Sequence, residues 1–199
     1  MKLIAHRGLW NKKSEQNKYI SIQQAFNDNH YEGVEFDIRV TNDNKYIINH
    51  DAILNNKIIS KSSSKSLKKY NIETLANILK IETNKIFLLE IKDRNINVNK
   101  LNDYLNKYHK NLYVMSFHNN VIDSLLKLKH NYKLGILNYI LNSDKTYKYD
   151  FICLLDSLTT SNMIKKYKSN NIEVFIYGKL SNKFNHGNTV YYIVDPYII

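Results

Sequence analysis

Two apolar segments of this sequence each carry a pair of charged residues two positions apart, Glu35 with Asp37 and Glu90 with Lys92. In an extended strand, residues i and i+2 point to the same side, so each pair shares one face. Carboxylates in apolar surroundings are costly unless a positive charge compensates them, and Mg²⁺ or Ca²⁺ prefers such oxygen ligands. The pattern therefore predicts one divalent cation, Mg²⁺ or Ca²⁺, held by Glu35, Asp37 and Glu90. Lys92 would present its charge to an anion.

Two histidines stand directly after short extended runs. His6 ends the first apolar run of the chain and precedes Arg7, and His50 ends another and precedes Asp51. Histidine titrates near neutral pH, which suits proton transfer, and arginine can clamp phosphate oxygens with two parallel hydrogen bonds. We therefore predict that His6 and His50 act as acid and base on a phosphoryl group that Arg7 contacts.

The elements that must position these residues alternate between strands and helices. Strands alternating with helices imply a parallel sheet, and eight such units predict a compact (β/α)8 TIM barrel with shortened helices and loops. Barrels place their active sites at the carboxyl ends of the strands, which is where the candidate residues fall. The predicted core strands are residues 2–5, 33–40, 86–92, 112–117, 134–137, 151–155, 172–177 and 189–194.

The remaining segments complete a single predicted domain over residues 1–199. Helices are predicted at residues 20–29, 73–81, 99–108, 120–129 and 161–169, and residues 45–49 form an additional extended piece. The Ser- and Lys-rich stretch 57–69 is predicted to be an exposed loop. An open doubly wound sheet is the alternative architecture, but the turn Gly8-Leu9-Trp10 is not the Gly-rich turn with which that fold binds nucleotides.

The composition limits the classes of protein to which the chain can belong. Its 199 residues are 43% hydrophobic, which is enough for a sizeable core. No stretch approaches the ~20 apolar residues of a membrane-spanning helix. The apolar run at the amino terminus has only three residues, so we expect a cytoplasmic protein without a signal peptide. The single cysteine, Cys153, excludes an internal disulfide.

The net charge of +11, from 29 basic and 18 acidic residues, favours anionic ligands. Only three of the basic residues are arginines, whereas base readout depends on the planar fork of arginine, so we expect no specific nucleic-acid binding. Phosphate esters are among the anionic ligands that such a basic protein attracts. The Lys-rich surface also suits peripheral contact with an anionic membrane.

Four motifs in this order resemble the glycerophosphodiester phosphodiesterase family: His6-Arg7-Gly8, Glu35-Phe36-Asp37, His50-Asp51 and Glu90-Ile91-Lys92. The resemblance spans nearly the whole chain, from Ala5 to Pro196. It implies a TIM barrel that hydrolyses a phosphodiester with one divalent cation. By the same resemblance, the metal ligands are Glu35, Asp37 and Glu90, the acid and base are His6 and His50, and the phosphate contacts are Arg7 and Lys92.

Four further positions are expected to support the site or contact the substrate. Glu15 lies in Ser14-Glu15-Gln16-Asn17, where the family commonly has Pro-Glu-Asn-Thr. Ser116 and Phe117, at the end of the predicted strand 112–117, also fit the family. Tyr177 stands near the position of a common family tryptophan, so it is expected to provide the aromatic lining. The departures from the family sequence in the segments of Glu15 and Tyr177 leave the metal chemistry intact and concern the identity of the substrate's alcohol.

The resemblance and the residues together predict hydrolysis of a glycerophosphodiester to glycerol 3-phosphate and an alcohol. One histidine would deprotonate water, or a neighbouring glycerol hydroxyl with a cyclic phosphate as first product, and the other would protonate the leaving alkoxide. His50 is favoured as the acid. The alternatives are a phospholipase C- or D-like enzyme acting on intact lipid, with Leu9 and Trp10 as an exposed apolar rim, and a non-catalytic anion-binding module.

Overall fold

Parallel strands close into a barrel in the computed structural model, which describes residues 1–139, 144–178 and 184–196. The strands are β1 (Lys2–His6), β2 (Tyr31–Val40), β3 (Tyr46–Ile48), β4 (Ile53–Leu54), β5 (Lys57–Ile58), β6 (Glu73–Thr74), β7 (Ile86–Ile91), β8 (Leu112–Ser116), β9 (Lys133–Asn138), β10 (Phe151–Leu155), β11 (Glu173–Tyr177) and β12 (Tyr191–Val194). Strands β1, β2 and β7 to β12 are consecutive parallel neighbours, and β12 pairs with β1 to close the ring. This arrangement confirms the predicted (β/α)8 TIM barrel, because an open sheet would leave two unpaired edges.

The helices between the strands are short. They are α1 (Tyr19–Asn27), α2 (Ser64–Leu67), α3 (Leu75–Leu79), α4 (Val98–Leu105), α5 (Asn119–Leu125) and α6 (Ser161–Ser169), with 3₁₀ turns at Lys13–Glu15, Ile59–Lys61, Lys68–Tyr70, Asp144–Lys148, Asp156–Leu158 and Gly187–Thr189. Helix α3 begins later than predicted because β6 pairs with β3 up to Thr74, whose hydroxyl then caps the helix by accepting from the Asn77 N–H. Within the described ranges, no helix has the length and apolarity needed to cross a membrane.

The Ser- and Lys-rich stretch is folded, so the prediction of an exposed loop at residues 57–69 is wrong. It begins with β5, which pairs with β4 in a small antiparallel hairpin, and continues through α2. Ile59 and Leu67 are 1% and 0% exposed and pack against Ile47 of β3. Burial of these two apolar side chains anchors the segment to β3. Strand β3 corresponds to the additional extended piece predicted at residues 45–49, and it pairs with β2.

Apolar residues cover both sides of the barrel strands. The alternate residues Val34, Phe36 and Ile38 of β2 are fully buried in the larger cluster that the strands share with the helices. A second apolar cluster fills the barrel interior. Because successive side chains of a strand point to opposite faces, Glu35 and Asp37 face the interior. The fold therefore directs acidic side chains of β2 into the barrel, as the sequence pattern predicts.

Candidate active site

Three carboxylates meet at the carboxyl ends of β2 and β7. The parallel register places Asp37 beside Glu90, and Glu35 lies beside His6 at the end of β1. One oxygen from each of Glu35, Asp37 and Glu90 lies within 4.8 Å of the others. The three residues are only 2%, 0% and 7% exposed. The structure thus brings together the acids predicted as metal ligands, at the end of the barrel where active sites form.

Basic and amide groups surround the carboxylates. Asp37 accepts a hydrogen bond from Asn17 Nδ2 at 2.8 Å, and Arg7 Nε lies 3.0 Å from the same carboxylate oxygen. Lys92 Nζ donates to Glu90 Oε1 at 2.7 Å and lies 3.6 Å from Asp37 Oδ1. Arg7 and Lys92, the predicted phosphate contacts, are therefore held beside the acids.

Two buried oxygens of this cluster, Glu35 Oε1 and Asp37 Oδ1, accept no hydrogen bond from the residues that the structure describes. Burial, followed by the charges of Asp37 and Glu90, raises the pKa of Glu35 well above its usual value. Burial and the Asp37 charge likewise raise the pKa of Glu90. Buried carboxylate oxygens that accept no hydrogen bond, and pKa values raised by burial and neighbouring acids, both favour a compensating cation. The cluster therefore fits one Mg²⁺ or Ca²⁺, which takes carboxylate oxygens as ligands.

A left-handed turn delivers His6 and Arg7 to the cluster. The φ angles of Arg7 and Gly8 are 59° and 87°. A Cβ at position 8 would lie 2.6 Å from the carbonyl carbon of Ser21, which leaves room for glycine alone. The Arg7 N–H donates to the Glu35 carbonyl at 2.9 Å and fixes the turn against β2. These contacts offset the strain of Arg7, which costs roughly 1 kcal/mol or more for a residue with a side chain in this region.

His6 is oriented by a carboxylate that is distant in the sequence but follows the neighbouring strand β12. Its Nδ1 lies 2.6 Å from Asp195 Oδ1, and because a carboxylate only accepts, Nδ1 carries the proton. In the neutral form of the imidazole the acceptor nitrogen is Nε2, which lies 3.8 Å from Glu35 Oε2. The hydrogen bond from His6 lowers the pKa of Asp195, so this carboxylate stays charged. His6 is therefore prepared to accept a proton beside the cluster.

His50 is paired with its sequence neighbour in the same way. Its Nδ1 lies 2.7 Å from Asp51 Oδ1, and Arg39 Nε donates to the His50 carbonyl at 2.8 Å. Asp93 accepts from Arg39 Nη1 at 2.7 Å and from the Val40 N–H at 2.6 Å, which ties His50 to the end of β2. Burial lowers the pKa of His50, so the neutral imidazole predominates at neutral pH.

A cavity of about 280 Å³ joins these groups. Both histidines, the two cations and two of the three carboxylates line part of it, and apolar side chains that include Phe117 and Tyr177 line the rest. The structure therefore places the two expected aromatic residues at the same cavity as the catalytic candidates.

Two other expected supporting residues bind backbone groups instead. Ser116 is fully buried, and its hydroxyl donates to the Ile91 carbonyl at 2.7 Å. Glu15 accepts hydrogen bonds from the Asn11 and Lys12 N–H groups at 2.8 and 3.2 Å, which closes the loop after the first motif. Both residues shape segments that lead to the site, and neither is among the described residues that line the cavity.

The apolar rim considered for a lipid-binding alternative is not formed by Trp10. This residue is 8% exposed, and its indole N–H donates to the His6 carbonyl at 2.9 Å. Leu9 is partly buried and packs against the main core. The exposed rim that this alternative needs is therefore not formed by these two residues, because the loop folds inward and supports His6.

Two residues to which the sequence analysis gave no role hold the site together. Asn17 is 5% exposed and binds Asp37 twice, since its Oδ1 also accepts the Asp37 N–H at 3.2 Å. Asp195 orients His6. The signal for Asp195 is present in the sequence, because it directly follows the apolar strand β12 as His6 ends β1. Asn17 lies in an irregular loop, where periodicity gives no signal.

Comparison with known families gives the identity of this fold and site. A model described as the glycerophosphoryl diester phosphodiesterase family matches residues 6–195. This chain belongs to that family. The predicted family and enzyme class, a phosphoric diester hydrolase, are thereby confirmed. No curated protein sequence matches the chain.

Solved structures of other phosphodiesterases share the fold of this family member. A glycerophosphodiester phosphodiesterase from Parabacteroides distasonis is 21% identical, with a TM-score of 0.80 over 99% of this chain and 93% of that chain. The enzyme from Thermotoga maritima is 18% identical, with a TM-score of 0.77 over 98% and 94%. An Oleispira antarctica phosphodiesterase, solved with the product sn-glycerol-3-phosphate, is 17% identical, with a TM-score of 0.81 over 100% and 94%. At these identities the likeness establishes the fold.

Without a divalent cation, this phosphodiesterase is expected to lose stability as the pH rises from about 5 to about 8. The folded pKa values of Glu35 and Glu90 lie above the ordinary value of 4.5, so the folded state keeps protons that the unfolded state has already released. The free energy of unfolding therefore falls as the pH rises through the folded values. Thermal denaturation in EDTA should show a lower Tm at pH 8.

Added Mg²⁺ or Ca²⁺ should raise the Tm more at pH 8 than at pH 5, because protons compete with the cation for the same carboxylates. An equal rise at both pH values would contradict binding at this cluster.

Proposed function

We propose that this protein hydrolyses a glycerophosphodiester to glycerol 3-phosphate and an alcohol, with one divalent cation and two histidines. The observation that carries the proposal is the convergence of a buried three-carboxylate cluster and two carboxylate-oriented histidines on one cavity. The product in the Oleispira antarctica structure, sn-glycerol-3-phosphate, supports the choice of substrate.

The cation would be held by Glu35, Asp37 and Glu90. When bound, Mg²⁺ or Ca²⁺ would act as a Lewis acid on a phosphate oxygen and offset the charge that develops in the transition state. Glu35 Oε1 and Asp37 Oδ1, which accept no hydrogen bond from the described residues, support this assignment, since a buried carboxylate oxygen without a hydrogen bond is otherwise costly.

Arg7 and Lys92 would bind the phosphate beside the cation. The side chains of Arg7 and Lys92 are only 17% and 14% exposed, and both are fixed before substrate arrives. Arg7 Nη1 donates to Gln16 Oε1 at 3.1 Å, so the guanidinium loses little conformational freedom on binding. Its planar fork can hold two phosphate oxygens, and Lys92 adds a point charge.

His6 and His50 would move the protons. His6 Nε2 takes the proton of the attacking hydroxyl, from water or from a glycerol hydroxyl, because its Nδ1 proton is already bonded to Asp195. The attacking oxygen forms a bond to phosphorus as the bond to the alcohol oxygen breaks. His50, whose neutral form predominates, would first take a proton from solvent, and the Asp51 carboxylate would stabilise that imidazolium. The imidazolium would then give its Nε2 proton to the departing oxygen.

The test is hydrolysis of glycerophosphodiesters followed by ³¹P NMR, with Mg²⁺, with Ca²⁺ and with EDTA. We expect glycerol 3-phosphate and the free alcohol as products in at least one of the two cations, and no turnover in EDTA. A cyclic phosphate that appears first would identify a glycerol hydroxyl as the nucleophile. Failure to cleave any ester by a protein that is folded and stabilised by the cation would contradict the proposal.

A further inference from the structure

Six large apolar side chains remain exposed among the described residues, and five of them lie at one end of the barrel. Each of the five follows a parallel barrel strand or the cavity residue His50, and they are Ile20, Ile53, Ile58, Tyr139 and Leu158. The sixth, Met1, stands before β1 at the opposite end. Single exposed apolar side chains are ordinary, but their concentration at one end of a protein indicates a contact surface.

The hairpin of β4 and β5 presents two of these side chains together. Ile53 lies directly opposite Ile58 in the antiparallel register, so the two are neighbours on one face, and they are 56% and 43% exposed. Leu54 points to the other face and packs against the small buried cluster beneath the hairpin. The turn residues Asn55 and Asn56 have φ angles of 46° and 62°, as the tight two-residue hairpin turn requires. The hairpin is therefore fixed with its isoleucine pair outward.

The chain around this hairpin is positively charged. Residues 52–72, here called the basic segment, contain five exposed lysines and no acidic residue, and the lysines are Lys57, Lys61, Lys65, Lys68 and Lys69. Within the described ranges, the lysines that pair with carboxylates are others, namely Lys92, Lys110, Lys133 and Lys148. Asp43, whose carboxylate accepts from the Ser64 hydroxyl at 2.7 Å, offsets one charge. The basic segment thus keeps a large share of the net charge of +11.

A lipid bilayer with anionic head groups matches both features of this surface. Clusters of about four to eight basic residues bind anionic lipids, and exposed apolar side chains beside them bury themselves at the level of the head groups. Nucleic acid is a poorer match, because its binding uses arginine forks and exposed aromatic rings. The basic segment has no arginine, and its one aromatic residue, Tyr70, is partly buried with Lys69 over its ring.

We propose that this protein docks on an anionic lipid bilayer through the hairpin and the basic segment. Ile53 and Ile58 enter the head-group region, and the lysines meet the lipid phosphates. His50, which lines the catalytic cavity, precedes Ile53 by three residues, so docking brings the cavity end of the barrel to the bilayer. The inference goes beyond the proposed function, because docking requires no hydrolysis.

The first test is sedimentation of the full chain with vesicles of phosphatidylcholine alone and with vesicles of equal parts phosphatidylcholine and phosphatidylglycerol. We expect the Kd to be at least about tenfold lower for the anionic vesicles, in Mg²⁺ and in EDTA alike. Added salt should reduce this difference, because ions screen exposed charges.

The triple variant Lys57→Gln, Lys61→Gln, Lys65→Gln should raise the Kd for anionic vesicles about tenfold or more. Its matched control is Lys107→Gln, Lys127→Gln, Lys129→Gln, which removes the same charge from exposed positions in the loops that lead into β8 and β9. These loops lie at the amino end of the barrel strands, so the control should leave the Kd nearly unchanged.

Insertion of the hairpin is tested with a fluorescent side chain. In Ile53→Trp, phospholipids with brominated acyl chains should quench the added indole in anionic vesicles. The native Trp10 is only 8% exposed, and Lys107→Trp places an indole at the opposite end as the control that should not be quenched. Ile53→Ser with Ile58→Ser should raise the Kd about tenfold, and because both side chains are exposed, the fold should persist in circular dichroism melting.

Equal Kd values for the two kinds of vesicle, or full binding by the triple lysine variant, would overturn the inference. Anionic binding without quenching of Ile53→Trp would overturn the docked orientation. Tighter binding to a single-stranded oligonucleotide than to anionic vesicles would assign the basic segment to nucleic acid and also contradict the inference. A protein that docks as expected but hydrolyses no glycerophosphodiester would contradict the proposed function alone.

Discussion

Alanine in place of His6 or His50 is expected to lower kcat for a glycerophosphodiester by about 10²–10⁴-fold while the protein stays folded. Each imidazole is bonded to a carboxylate that water reaches, since the side chains of Asp195 and Asp51 are 41% and 77% exposed. Loss of either imidazole therefore leaves no buried charge without a partner. Release of glycerol 3-phosphate measures kcat, and circular dichroism melting checks the fold.

The two histidine variants should differ on a substrate whose alcohol needs no proton to leave. The p-nitrophenyl ester of glycerol 3-phosphate releases a stable anion, so His50→Ala should recover most of its loss on this ester. His6→Ala should stay impaired, because the nucleophile still needs a base. If His6→Ala recovered its activity on this ester and His50→Ala did not, His6 would be the acid and His50 the base. His30→Ala is the matched control, because His30 pairs with Asp28 at 2.7 Å in the same way but is 74% exposed and does not line the catalytic cavity.

Strand geometry made the acidic cluster predictable from the sequence. Glu35 and Asp37 alternate with fully buried apolar residues of β2, so one face had to pack on the helices and the other had to carry the acids. Glu90 has the same alternation on β7, the next barrel strand. Parallel neighbours with ends at the same height then bring the three side chains together. The order of the motifs added the resemblance to a known family, and the match of the family model over residues 6–195 confirms that family.

The partners of contacts between distant segments were not predictable in this way, although the place of Asp195 directly after β12 puts it at the same end of the barrel as His6. Asn17 reaches Asp37 across 20 positions, and His6 reaches Asp195 across 189, so no local period relates the partners. The fold of residues 57–69 also depends on a distant surface, because two apolar side chains in a polar stretch gain stability only once β3 is in place. The roles of the individual site residues, the single domain over residues 1–199 and the cytoplasmic location stay predictions.

Glutamine in place of Glu35 is expected to change the stability in opposite directions with and without a divalent cation. In EDTA at pH 8, the variant should melt at a higher temperature, because burial and the charges of Asp37 and Glu90 already disfavour the Glu35 carboxylate. Each kcal/mol of relief should raise the Tm by about 2–4 °C. At about a hundredfold excess over Kd, Mg²⁺ or Ca²⁺ should raise the Tm of the unaltered protein by about 5–10 °C and that of the variant far less. Loss of the Lewis acid should lower kcat/KM on the order of 10³-fold.

The substitution Asp37→Asn separates relief of repulsion from loss of a ligand. Arg7 Nε lies 3.0 Å and Lys92 Nζ 3.6 Å from the Asp37 carboxylate, so removal of this charge leaves two cations less well compensated in a largely buried site. Asp37→Asn should therefore lower the Tm in EDTA, whereas Glu35→Gln raises it, and both should lose the rise that the cation causes. A Glu35→Gln variant that melts earlier in EDTA, or keeps the full cation-dependent rise, would show that Glu35 has a structural role. The expected result would instead mean that the Glu35 carboxylate lowers the stability of the protein without the cation and is needed to bind the cation.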